Sequence, residues 1–138
     1  MARVTGETFN KEGKTDIIVK WRDKNLFIAE CKRWKGPESL REALDQLLGK
    51  YALWRDTKTA ILLFSERKDF GRVVKQIPDV VSGHINFVRR DASYQHRAHS
   101  RYILHHTGEE ERLLILTVLA FNLPSQEEEE PSPQGDSV

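Results

Sequence analysis

The sequence predicts an α/β domain with a mixed central β-sheet flanked by helices. Three patterns favour this class: β-rich runs fill the first third of the chain, an amphipathic helical stripe follows them, and a continuous apolar run comes after that stripe. Strands joined by short turns pair antiparallel, whereas a strand reached through a helical crossover pairs in parallel. Both kinds of pairing are therefore expected in one sheet.

The first third of the chain predicts three antiparallel strands. Residues 3–9 alternate weakly between apolar and polar, and the polar segment 10–13 that follows ends in a glycine suited to a hairpin turn. The β-rich runs 16–21 and 25–31 flank a second polar turn at 22–24. These runs are typical of a β-meander.

The second hairpin brings carboxylates together. If its turn is symmetric about the middle residue, Asp16 faces Glu30 and Trp21 faces Asn25. Since side chains alternate along a strand, Asp16, Glu30 and Lys32 project from one face. We expect the opposite face to be the core face, because it carries Ile17, Val19, Trp21, Phe27, Ala29 and Cys31.

Opposed side chains on neighbouring strands lie about 5 Å apart, a span that one divalent cation can bridge. Two carboxylates at that distance repel each other, and a Mg²⁺ ion, which prefers oxygen ligands, would compensate them. Glu7 falls near Asp16 and is either a third carboxylate or an exposed strand residue. The alternative for the whole cluster is a solvated face on which Asp16, Glu30 and Lys32 pair harmlessly.

Asp16 followed by the triplet Glu30-Cys31-Lys32 resembles the Asp…Glu-X-Lys signature of the PD-(D/E)XK nuclease superfamily. The sequence segments around these residues, 13–17 and 28–34, are similar to those of the Mrr-type and Holliday-resolvase-like branches of that superfamily. The resemblance covers about residues 6–64. It implies a restriction-endonuclease-like fold. The superfamily usually begins with a helix, which has no room before Val4, so either the chain is a piece of a longer protein or this protein dispenses with that helix.

The resemblance also implies an activity, namely Mg²⁺-dependent hydrolysis of DNA, with Mn²⁺ able to substitute. Asp16 and Glu30, with the Cys31 carbonyl, would hold the metal, and Lys32 would orient or deprotonate the attacking water. Gln46 is carried over as a contact to DNA or to the lysine. Two alternatives stay open: a catalytically silent nuclease-fold domain that binds nucleic acid or a protein partner, and an interaction domain in which the charge cluster is accidental.

The segment after the triplet joins basic and aromatic side chains. Arg33, Trp34 and Lys35 suit contact with a nucleic-acid backbone, although Trp34 packing beneath the next helix is an equal alternative. The four residues from Ser39 to Glu42 form a capping box and predict a helix from Ser39 to about residue 55. Its apolar stripe comprises Leu40, Ala43, Leu44, Leu47, Leu48 and Tyr51.

Gln46 and Tyr51 are the candidates for a Gln–Tyr pair that relatives place four residues apart on this helix. They lie five residues apart, so on a regular helix they diverge by about 140°. The sequence therefore favours Tyr51 as a core residue.

The rest of the chain completes the order β-β-β-α-β-α-β plus a C-terminal hairpin. Residues 59–64 predict a buried central strand, 68–77 a short helix ended by a proline, and 84–89 another strand. Residues 102–106 and 113–121 suggest the final hairpin, and the second of these runs is apolar enough to be either buried or a homodimer contact. The connection before the hairpin, rich in Arg, His and Tyr at 89–101, is either a phosphate-contacting arm or a surface loop.

Composition limits the class of protein. The chain has 22 Lys and Arg against 21 Asp and Glu, but the tail at 125–138 holds five acidic residues and no basic one. We expect a nuclease-like domain at 1–124 and an acidic disordered tail beyond it, and the basic excess of the domain favours DNA as partner. No apolar run approaches the ~20 residues of a membrane span, and the single cysteine, Cys31, fits a reducing compartment. The sequence thus predicts a cytoplasmic protein.

Overall fold

The computed structural model of the protein describes residues 3–9, 14–21, 24–51 and 58–123. Side chains are described for Ile17, Val19 and residues 27–49 and 58–123. The elements in chain order are β1 (Arg3–Phe9), β2 (Lys14–Trp21), β3 (Lys24–Arg33), α1 (Pro37–Gln46), a π-helical turn (Leu47–Tyr51), β4 (Lys58–Ser65), α2 (Phe70–Ser82), β5 (Phe87–Arg90), β6 (His99–His106) and β7 (Glu109–Asn122).

The strands form one sheet in the order β1-β2-β3-β4-β7-β6-β5. β4 lies at its centre and pairs in parallel with β3 on one side and with β7 on the other. The remaining neighbours pair antiparallel. The α/β class with a mixed sheet is therefore confirmed.

The register of the β2–β3 hairpin agrees with the sequence at its centre. Asp16 pairs with Glu30, and the next pairs follow in step as far as Val19. Beyond Val19 the register shifts by one residue, so Trp21 pairs with Lys24 and not with Asn25 as predicted. β3 begins one residue earlier than expected, and a bulge in the ladder absorbs the difference.

Both helices pack on the same face of the sheet. α1 contacts β3 and β4, α2 contacts β5 and β6, and the two helices contact each other. The side chains beneath them form the core, which includes Ile28, Ile61, Leu63, Leu104, Leu116 and Val118. This is the face of Glu30 and Lys32, so the prediction that the other face forms the main core is wrong. Ala29 and Cys31, which that prediction placed in the core, are nevertheless buried on their own face. Alternation defines two faces, but it does not say which face the crossover helices will cover.

α1 begins at Pro37, two residues earlier than the capping box indicated. Proline suits the first turn of a helix because its φ is already helical and its missing N–H would have no partner there. The Ser39 hydroxyl accepts the backbone N–H of Lys35 at 3.0 Å and donates to the Gly36 carbonyl at 2.6 Å, so it tightens the entry to the helix. Glu42 is thereby released from the capping role.

α2 continues through Pro78, where the sequence predicted its end, and reaches Ser82. Val80 and Val81 lie in the core, and their burial keeps the helix together beyond the proline. The Gly83 N–H closes the last turn by donating to the Asp79 and Val80 carbonyls. Neither α2 nor any other described helix is long and apolar enough to cross a membrane.

The second face of the sheet is covered by neither described helix. We call it the open face; among its side chains are Phe27, Lys58, Phe64, His99, Arg101 and Phe121. Along β6 and residues 114–121 of β7 the side chains that point toward the helices are buried, whereas those that point to the open face are half-buried. The sheet is thus clearly two-sided.

Aromatic rings form a row across the open face. Phe64 of β4 stacks on Phe121 of β7 with ring centroids 5.3 Å apart, and His99 of β6 lies 5.6 Å beyond Phe121. His96, from the loop before β6, stacks on His99 at 4.0 Å with nearly parallel rings. The row therefore ends at His96, which is exposed.

We predict that His99 makes the protein less stable as the pH is lowered. Burial, followed by the charge of His96, lowers the pKa of His99 from its ordinary value near 6.5. The unfolded chain therefore takes up this proton first as the pH falls, and the folded state is disfavoured below about pH 6.5. Thermal unfolding at pH 7.5 and 5.5 should show a smaller loss of Tm in His99→Gln than in the wild type. Equal losses in the two proteins would contradict this origin.

Candidate active site

Three carboxylate residues occupy one row across the first three strands. Glu7 of β1 pairs with Asp16 of β2, and Asp16 pairs with Glu30 of β3. The side chains of Glu7 and Asp16 lie outside the described residues, so the row is defined by backbone register. Directly paired positions on neighbouring strands have Cβ atoms about 5 Å apart.

Glu30 lies deep in the protein. Glu30 is 1% exposed, and the residue paired with it on β4 is Ile61, which lies in the core. The solvated strand face, the bland alternative for this cluster, therefore does not hold for Glu30. A buried carboxylate is costly unless other groups or a metal compensate its charge. Its position is thus typical of a functional carboxylate or of a tightly paired structural one.

Lys32 projects on the same face two residues further along β3. Its side chain is 12% exposed, and its Nζ lies 3.3 Å from Oε1 of Glu42 on α1. The sequence assigned Glu42 to the helix cap and missed this contact. One signal was present. Gln46 is expected to contact DNA or Lys32, and Glu42, four residues earlier, lies on the same face of the helix.

A cleft of about 340 Å³ opens beside Lys32. It is lined by Lys32, Arg33, Lys35, Glu38, Ser39 and Glu42. Three basic side chains thus converge at the point where β3 ends and α1 begins. Such a cleft can admit a phosphate group from solvent to the Lys32 ammonium.

Arg33 and Lys35 are exposed, as a role in binding nucleic acid requires. The Arg33 guanidinium lies 4.0 Å from the Glu66 carboxylate, and both side chains are about half exposed, so this ion pair contributes little. Neither residue is tied down by it. Their contact with nucleic acid stays a prediction.

Trp34 does not face the surface. It is 4% exposed and belongs to the core, and its backbone N–H donates to the Phe64 carbonyl at 2.7 Å. It continues the face of Glu30 and Lys32, which the helices cover, so the prediction that Trp34 contacts nucleic acid is wrong. The alternative of packing beneath the helix is correct.

Gln46 is half-buried at the end of α1, where the helix changes character. Residues Leu47–Tyr51 form a π-helical turn, in which hydrogen bonds join residues five apart. Position 51 therefore returns close to the face of Gln46, and the divergence expected on a regular helix does not apply. The Tyr51 side chain lies outside the described residues. The contact expected of Gln46 stays a prediction.

No group of three or more His, Cys, Asp or Glu side chains that could hold a metal ion occurs in the part of the chain whose side chains are described. The residues that could supply ligands at the carboxylate row are Asp16, Glu30 and the Cys31 carbonyl. All three offer oxygen atoms, which Mg²⁺ prefers. The donor chemistry and the register of this set both fit that ion.

No family model matches the chain, and neither a curated protein nor a solved structure does. The similarity to the PD-(D/E)XK nucleases accordingly rests on residues of this chain, Asp16 and the triplet Glu30-Cys31-Lys32. The same residues and their surroundings are the basis for proposing a function for the protein.

We predict that Trp34→Ala lowers the free energy of unfolding by about 3–5 kcal/mol, because removal of a large buried ring leaves a cavity. Its neighbour Arg33 is exposed, and Arg33→Ala should change the free energy of unfolding by only about 0.5 kcal/mol. Urea denaturation of the two variants and the wild type measures both changes. Comparable stability of Trp34→Ala and the wild type would place the ring outside the core.

Proposed function

We propose that this protein is a Mg²⁺-dependent nuclease that hydrolyses DNA phosphodiester bonds on a restriction-endonuclease-like scaffold. The observation that carries the proposal is the pairing of Asp16 with Glu30 in the β2–β3 hairpin, with Lys32 on the same face beside an open cleft. The element order supports it as well, since α1 connects β3 to its parallel neighbour β4.

Asp16, Glu30 and the Cys31 carbonyl would hold the metal ion. A bound Mg²⁺, or Mn²⁺ in its place, supplies charge neutralisation at the phosphate and lowers the pKa of a coordinated water. Two paired carboxylates would approach neutrality with such a cation between them, which removes the repulsion that the register otherwise imposes. Glu7 extends the row by one residue and is the natural further acidic group.

Lys32 acts as a charge and as a hydrogen-bond donor in this proposal. Its ammonium lies within 3.3 Å of the Glu42 carboxylate and is largely shielded from solvent. A positive charge held there can orient the attacking water and stabilise negative charge that develops on the phosphate. Phosphate oxygens would compete with Glu42 for the same ammonium, so Glu42 moderates how strongly Lys32 holds its substrate.

A catalytically silent nuclease-fold domain is the second candidate, and two observations favour it. Glu30 is almost fully buried, and Lys32 already has a carboxylate partner in Glu42. In a silent domain these contacts hold α1 against β3, and nucleic acid or a protein partner binds without hydrolysis.

We predict that Lys32→Ala and Glu30→Gln each lower DNA cleavage by at least about 100-fold while the fold is retained, because charge stabilisation at the phosphate is lost. Cleavage of linear, branched and single-stranded DNA with Mg²⁺ or Mn²⁺ measures the effect. Lys75→Ala is the matched control, since Lys75 is exposed on α2 and should leave the rate unchanged.

Mn²⁺ calorimetry separates the two candidate functions. Binding by the wild type that weakens in Glu30→Gln, together with cleavage, supports the nuclease. Absence of cleavage on every substrate by a wild type that binds DNA would establish the silent domain. Full activity of Lys32→Ala would make Lys32 a bystander.

We also predict that Arg33 and Lys35 contact phosphates and not bases. Replacing both by Ala should weaken duplex binding to a similar extent for every sequence. It should also reduce the slope of log K against log salt by up to about 1.8, because each phosphate contact contributes about 0.9. Binding titrations at several salt concentrations give the slope, with Lys75→Ala as control. An unchanged slope would remove this segment from the path of the DNA.

A further inference from the structure

We propose that the open face of the sheet is a separate binding surface for single-stranded nucleic acid. The surface lies on the side of the sheet away from Glu30 and Lys32, so this inference does not depend on nuclease activity. It follows from the charge of the face, from one anchored arginine and from the row of rings that crosses it.

The charge of the open face is basic. Lys58 is exposed at the start of β4, and Arg101 lies in the middle of β6. Asp91 is the acidic residue next to Arg101, since its backbone N–H donates to the Arg101 carbonyl at 2.8 Å, and its carboxylate accepts the Ser93 hydroxyl at 2.6 Å. A surface of this charge attracts an anionic chain.

Arg101 is held in a fixed position on this face. Its Nε donates to the Thr117 hydroxyl at 3.0 Å, and its guanidinium carbon lies 4.1 Å from the centroid of the Tyr94 ring. No carboxylate of the described residues lies within 4 Å of the guanidinium. Since its orientation is already set, the guanidinium can bind a phosphate with little further loss of entropy.

A shallow cavity of about 260 Å³ adjoins this arginine. It is lined by Phe27, Lys58, Thr59, Arg101, Ile115 and Thr117. Apolar side chains thus lie between two cations, Lys58 and Arg101. This arrangement matches a nucleotide, in which an apolar base or sugar is linked to charged phosphates.

The row of rings offers a place to stack bases. One side of the His96 ring is covered by His99, and the residue as a whole is exposed, so a base can extend the stack on the other side. Phe121 and Phe64, which stack on each other and are half-buried, continue the row and add aromatic surface beside the stacked base. Stacking of this kind tolerates any base and is typical of single-strand binding.

A single strand fits this face better than two other occupants. A duplex keeps the faces of its bases inside the stack, so His96 and the phenylalanines would have nothing to bind. A second copy of the chain would bring Arg101 and Lys58 against like charges across the interface, which is unfavourable. Glu109, Glu110 and Glu111 at the β6–β7 turn are exposed and set the end of the surface.

The test is the binding of a fluorescently labelled 12-nucleotide oligothymidine, measured by anisotropy in EDTA so that no cleavage occurs. Arg101→Gln and His96→Ala should each weaken binding by about tenfold, because each removes one phosphate contact or one stacked base. Lys75→Gln on α2 is the matched charge control, because Lys75 is exposed on the helical side of the sheet. It should bind as the wild type does.

Circular dichroism and Tm establish that each variant is folded, and Arg101→Lys, which keeps the charge but loses the planar fork, should lie between the wild type and Arg101→Gln. Absence of binding by the wild type at tens of micromolar would overturn the proposal. So would an equal effect of Lys75→Gln, or binding by Arg101→Gln that equals the binding of the wild type. A dimer that dissociates in Arg101→Gln, with no oligonucleotide bound, would assign the face to a second copy instead.

Discussion

The register of β2 against β3 is the constraint on which the candidate active site depends. It sets Asp16 opposite Glu30, and because Glu30 is buried, its charge must be compensated within the protein or by a ligand. A slip of one residue would turn Glu30 to the open face and bring Ala29 beneath the helices. The acidic row and the core are therefore fixed by the same hydrogen-bonded ladder.

β3 also divides the molecule into two surfaces of different chemistry. Its residues that face the helices include Glu30, Lys32 and Trp34, which combine the acidic row, the cleft and part of the core. Its residues that face the other way lead to Arg33 and, across β4, to the row of rings. The alternation of side chains along one strand thus separates a deep charged site from a shallow basic and aromatic one.

Much of this arrangement could be predicted from the sequence, because it follows from short-range pattern. Alternation and turn residues gave the pairing of Asp16 with Glu30, and the apolar run at 59–64 gave the central strand. The side on which the helices pack could not be predicted, since it depends on how two crossovers return to the sheet. Trp34 was misassigned for that reason, and Glu42 was misassigned because α1 begins at Pro37, two residues before the capping box. The π-helical turn has no periodic signal in the sequence.

The central position of β4 has a consequence for how the protein reaches its fold. β4 pairs with β3, which is close in sequence, but its other partner is β7, which lies far along the chain and is therefore synthesised later. Until β7 arrives, an apolar central strand has one unpaired edge that can recruit another chain. Contacts of such long sequence separation slow folding, so we expect the N-terminal hairpins to form before the sheet closes. Substitutions in β7 far from the acidic row would then reduce the yield of folded protein by promoting aggregation during synthesis.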